Sequence, residues 1–161
     1  MLITRLTTAF AAAVVGLAAL WWLSLEPDAF TGGFWATRHT LVYGTGVMAL
    51  GLMSIGVILA ARPVWFETAL GGLDKFYRLH KWLGIGALGF ATTHWLLRKG
   101  PSWISDVGLF AIPPKPPHRD EIATGFHLFR DLKHPAAEIG EWAFYALVAL
   151  VAIALWKRFP Y

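Results

Sequence analysis

Charge is excluded from four blocks along this chain. Residues 6–25 run for twenty positions without a charged side chain, and residues 40–61 for twenty-two. As helices rising 1.5 Å per residue, both are long enough to cross a hydrocarbon core of about 30 Å. Residues 82–97 (sixteen) and 142–156 (fifteen) form two shorter charge-free blocks, each with flanks able to carry its helix into the headgroup region. The pattern predicts an all-α integral membrane helical bundle with four transmembrane helices. Spans are expected at about 4–25, 39–61, 74–97 and 138–157, joined between the third and fourth by an outer loop at 98–137. Within that loop, residues 111–118 are proline-rich and read as extended. Ile122, Phe126 and Phe129 have helical spacing, so a short surface helix is expected at 120–133, N-capped by Asp120 and stopped by Pro135.

The first block also has the outline of a signal peptide, with Arg5 as a thin basic leader. Two features favour a retained anchor: the apolar run exceeds a signal h-region, and it ends in Trp21-Trp22, a pair suited to a membrane interface.

Composition agrees with a membrane protein. Hydrophobic residues make up 57% and charged residues 15% of the 161 positions, against about a quarter charged in a soluble domain. Mean hydropathy is +0.53. With no cysteine, disulfides, thiolate metal sites and iron–sulfur clusters are excluded. The net charge of +4 does not point to nucleic acid, because the basic residues flank apolar runs instead of forming a patch.

Those flanking charges set an expected orientation. Arg62, Lys75, Arg78 and Lys81 lie between spans 2 and 3, and Lys157 and Arg158 follow span 4. Only Arg38 lies between spans 1 and 2, beside Glu26 and Asp28. The positive-inside rule then puts both termini in the cytoplasm, in a bacterial inner membrane on this reading. The outer stretch from Arg98 to Glu141 carries six Lys/Arg, offset by six Asp/Glu.

The third block carries the candidate chemistry. His80 and His94 are fourteen positions apart (94 − 80). At about 100° per residue their side chains return to within roughly 40° of one direction, about 21 Å apart along the axis. One imidazole therefore lies near each membrane face, as two stacked b-type hemes require. Positions 84, 87 and 91 share that wedge and hold Gly84, Ala87 and Ala91. Small residues there would let flat macrocycles lie against the helix. An axial imidazole must be neutral and normally donates from its second nitrogen; the carbonyls of Phe76 and Phe90, one turn earlier, are the expected acceptors.

The segment Gly71-Gly-Leu-Asp-Lys-Phe-Tyr-Arg-Leu-His80-Lys-Trp-Leu-Gly84, followed by Thr93-His94-Trp95, resembles the ferric reductase-like transmembrane domain of NADPH oxidases, ferric reductases and bacterial relatives. The resemblance extends over roughly 38–161. It implies the first part of a six-helix heme-binding bundle. In such a bundle the third helix gives one histidine to each of two b hemes, and the fifth gives the opposite pair. It further implies that His80 ligates the inner heme iron and His94 the outer, fed from cytoplasmic NAD(P)H through FAD. The sequence ends where the loop to the fifth helix would begin. His39, His118, His127 and His134 all fall on the outer side of the expected topology. The expectation is therefore a fragment of a longer protein, or a partner chain that supplies the opposite ligands and a flavoprotein reductase domain.

Other residues have more than one reading. Arg78, Lys81, Arg98, Lys99, Arg38 and Arg62 are placed either to pair with heme propionates or to anchor helices at the interface. Gly44 and Gly51 would admit a heme edge or, more simply, a neighbouring helix. Two other functional classes remain: a proton or ion path using His80 and His94, which needs polar residues between them, and a structural subunit, which needs no cofactor.

Overall fold

The computed structural model describes residues 2–63, 72–108 and 133–156, and these are helices with short connections. The helices are α1 (Leu2–Leu23), α2 (Gly33–Ala60), α3 (Leu73–Asp106) and α4 (Lys133–Leu155). The proline-rich stretch, His118 and His127 lie outside the described residues, as do the side chain of His134 and all but the last residue of the expected 120–133 helix. Lys133 and Pro135 stand in the first turn of α4, where a missing N–H costs nothing.

Among the described residues three helices are long and apolar enough to cross a membrane: Arg5–Leu23, Gly33–Ala60 and Pro135–Leu155. The longest helix, α3, has 34 residues. Its less apolar ends, with Asp74, Lys75, Arg78 and Lys81 before the charge-free block and Arg98 and Lys99 after it, keep it out of that group.

The chain divides into two compact units at Arg98/Lys99, inside α3. In the first, α1 and α2 are joined by turns that satisfy their own carbonyls. The Ser24 hydroxyl donates to Trp21 O at 2.6 Å, and Thr40 Oγ1 donates to Ala29 O at 2.8 Å. Phe30 stacks on Trp22 and meets Trp21 edge-on, closing this end with aromatic rings.

Leu6, Leu52, Leu59, Phe76, Leu79, Leu83 and Ala87 form one buried cluster drawn from α1, α2 and α3. Gly44 and Gly51 serve the α1–α2 contact. A Cβ at Gly44 would lie 2.6 Å from the Trp21 ring, and one at Gly51 would lie 2.5 Å from Leu17. Close helix packing therefore accounts for both glycines.

Two residues past the end of α2 comes Arg62, a non-glycine residue with φ 51°. Its N–H bonds Leu59 O, and its guanidinium bonds the Tyr77 hydroxyl and lies over the Tyr77 ring. In the second unit, α3 terminates at Gly108, whose φ of 76° supplies the left-handed residue of a helix stop while its N–H bonds Ser105 O. There Lys99 pairs with Glu141 of α4 at 2.9 Å, and the Tyr145 hydroxyl donates to the same carboxylate. Elsewhere α4 exposes apolar side chains, including Ile139, Trp142 and Leu150.

Candidate functional site

Both candidate histidines of α3 turn toward α2. His80 Nδ1 lies 3.0 Å from Gly56 O, and His94 Nδ1 lies 2.9 Å from Val42 O. The expected acceptors, Phe76 O and Phe90 O on the same helix, are not used. Carbonyls within α3 run along its axis, where a side chain pointing outward reaches a neighbouring helix more easily than its own previous turn.

The two bonds share one register. A step of fourteen along α3 (80 to 94) is matched by a step of fourteen in the opposite sense along α2 (56 to 42). Two antiparallel helices keep such a match only if they stay in phase over four turns.

The bonds also select a tautomer for the neutral ring. A carbonyl oxygen only accepts, so Nδ1 is the donor in each bond, and in a neutral imidazole Nε2 then carries the lone pair. This is the tautomer a metal-bound imidazole adopts, with its other nitrogen oriented by an acceptor. Among the described residues no group of three or more His, Cys, Asp or Glu side chains is placed to hold a metal ion. A porphyrin brings four equatorial nitrogens of its own, so one imidazole per site is what a heme would ask of this helix. The residues present fit that group.

α2 makes room for the rings. Gly46 follows Val42 by one turn, where a side chain would lean back over the Val42 carbonyl. A Cβ there would stand 3.2 Å from His94 Nδ1. At the other end the acceptor is itself a glycine, Gly56, with only Ala60 one turn on. Sequence reasoning found the two histidines but missed Val42, Gly46 and Gly56. The available signal was a second line of small residues on α2, Gly46, Ala49 and Gly56, alongside the Gly44–Gly51 line.

The small stripe of α3 divides in two. Ala87, midway between the histidines, is 0% exposed and belongs to the α1–α2–α3 cluster. Its size serves helix packing. Gly84 and Ala91 are partly exposed. His80 is exposed and His94 half-buried.

The basic residues separate by what they touch. Arg38 donates from Nε to Leu97 O at 2.8 Å and from an Nη to Arg98 O at 3.1 Å, with its guanidinium 5.5 Å from the Trp35 ring centre. Arg62 is engaged with Tyr77 and Lys99 with Glu141. The side chains of Arg78, Lys81 and Arg98 are exposed. His39 packs edge-on against Tyr43, with ring centroids 4.7 Å apart. Both line an open cavity of about 600 Å³ with Trp21, Glu26 and Asp28.

No curated protein and no solved structure matches the chain. A family model does, and its match begins at Thr45, one residue before Gly46, and takes in all of α3. It suggests a transmembrane oxidoreductase and agrees with the motif around His80 and His94. The chain belongs to the family described as "Ferric reductase like transmembrane component", whose model matches residues 45–161.

Proposed function

We propose that this chain is the membrane part of an oxidoreductase that carries electrons across the bilayer through two b-type hemes, with His80 and His94 each giving one axial imidazole. The observation that carries this reading is the paired anchoring of both Nδ1 atoms on α2 carbonyls, fourteen residues apart on each helix. It leaves two Nε2 lone pairs at two depths on one helix.

A bound heme would supply the one-electron couple. The chain's own residues fix the rotation of the imidazoles and raise Nε2 basicity through the Nδ1 bond. Gly84 and Ala91 leave space beside the ligands. The exposed Arg78, Lys81 and Arg98 would neutralise propionates at the two faces. Leu52, Leu83 and Ala87, buried between the histidine levels, pack the interval with apolar side chains.

On this proposal the remaining heme ligands, FAD and NAD(P)H would be held by further helices or a partner chain. The termini face the cytoplasm on this proposal, so electrons run from His80 toward His94 and an outer acceptor.

One observation weighs against a proton relay. Among the described residues no polar or charged residue is buried, and the midpoint between the histidines is Ala87. A relay needs donors and acceptors there.

The test is a reduced-minus-oxidised spectrum of the membrane-purified protein, prepared with the segment or subunit that supplies the opposite imidazoles. Two bis-histidine hemes give a sharp α band. A relay or a purely structural subunit gives colourless protein, and that outcome would defeat the proposal.

A further inference from the structure

The outer histidine sits seven residues before a proline in its own helix. Pro101 lies inside α3. Proline has no N–H, so the carbonyl four residues earlier, Leu97 O, loses its intrahelical donor, and the pyrrolidine ring crowds it as well. A carbonyl without a partner in an apolar medium is costly. Leu97 O is nonetheless satisfied, because Arg38 Nε reaches across from α2 at 2.8 Å. The same guanidinium takes the next carbonyl, Arg98 O, at 3.1 Å.

The two acceptors lie three and four residues beyond His94. The donor lies four residues, one turn, before Val42, which accepts from His94. Arg38 therefore ties α2 to α3 one turn from the His94–Val42 bond and in the same register.

We propose that Arg38 is a positioning residue for His94: it replaces the hydrogen bond that Pro101 deletes and so holds α3 in phase with α2 at the outer ligand. Arg38 is thus committed to the backbone and not to a propionate. Its two bonds need a planar, two-pronged donor, which lysine does not offer. The consequence for ligation rests on the heme reading above. The Arg38–Pro101 pairing does not.

A double-mutant cycle separates the two. The variants are Arg38→Gln, Pro101→Ala and the double variant, each heme-loaded and purified with the segment or subunit that provides the opposite ligands. Two quantities are measured: the thermal unfolding midpoint in detergent, and the low-spin ferric EPR signal and retention of the outer heme.

Arg38→Gln should lower the midpoint by about 2–4 °C, the shift expected when one part-buried carbonyl loses its donor. It should also shift the outer-heme signal and reduce retention roughly tenfold, as loss of support for a ligand does, while the inner-heme signal stays in place. In the Pro101→Ala background, where residue 101 can donate to Leu97 O, both effects should largely disappear. Equal losses in both backgrounds would overturn the proposal and give Arg38 a role independent of the proline. If no variant, nor the parent, holds heme, the heme reading fails. The midpoint cycle alone then decides whether Arg38 answers Pro101.

Discussion

An imidazole that donates from Nδ1 to a carbonyl is turned and tautomerically fixed by a single bond, and Gly46 shows how little tolerance that bond has. A methyl at 46 would press on the His94 ring at 3.2 Å, tighter than ordinary contact. A branched side chain cannot be accommodated without displacing the ring. Gly46→Val should therefore lose the outer heme by roughly 10–100-fold in retention, the range seen when support for a metal ligand is removed. Gly16→Val on α1, where an added Cβ meets nothing within 4 Å, should leave both hemes unchanged. Heme retention through dialysis checks both. The energy scale explains why the effect appears in ligation before stability: side-chain hydrogen bonds between membrane helices average only about 0.6 kcal/mol. Such a bond aims the ring but adds little to the fold. The histidines were legible in the sequence because their fourteen-residue step is a property of one helix. Their acceptors were not, because Val42 and Gly56 belong to a partner whose register α3 does not encode.

At the scale of the helices, register between α2 and α3 is the variable that matters, and the buried cluster sets it. Leu52, Leu59 and Leu83 are almost wholly buried, and Ala87 is fully so. Ala87→Phe would force an aromatic ring into that packing and part the helices at their midpoint. Both hemes should be lost together, unlike the one-heme loss expected from a histidine variant; optical spectra distinguish the two. Leu83→Ala should cost less than the roughly 2–5 kcal/mol of a water-soluble core, because lipid is as apolar as the protein interior and only packing is forfeited. Reversible unfolding in mixed micelles measures this. Helix existence was legible from the charge-free blocks, but helix ends were not. α2 begins at Gly33, seven residues ahead of its charge-free run, and α3 continues past Leu97 through Pro101. Charge-based reading stops a helix where it leaves the hydrocarbon, whereas the backbone continues while its carbonyls find donors. At Leu97 that donor is a side chain fifty-nine residues away in sequence, which no local pattern reveals.

Taken whole, the chain exposes far more apolar surface than a water-soluble protein tolerates, with Trp22, Leu23, Val57, Ile139 and Trp142 all at least 63% exposed. Lipid and neighbouring helices are the environments that accept such a surface, in keeping with the family match. The expected orientation is testable at this scale: a membrane-impermeant thiol reagent should label a cysteine placed at Asp28 from outside and one placed at Lys75 only after the membrane is opened. The reverse pattern would invert the proposed direction of electron flow. The number of hemes that depend on α3 is the most direct test of the account. Heme per polypeptide, counted as the pyridine complex in protein carrying its full ligand set, should be two for the parent, one for His80→Ala, one for His94→Ala and none for the double variant. Two hemes surviving in either single variant would contradict the assignment of these histidines as ligands.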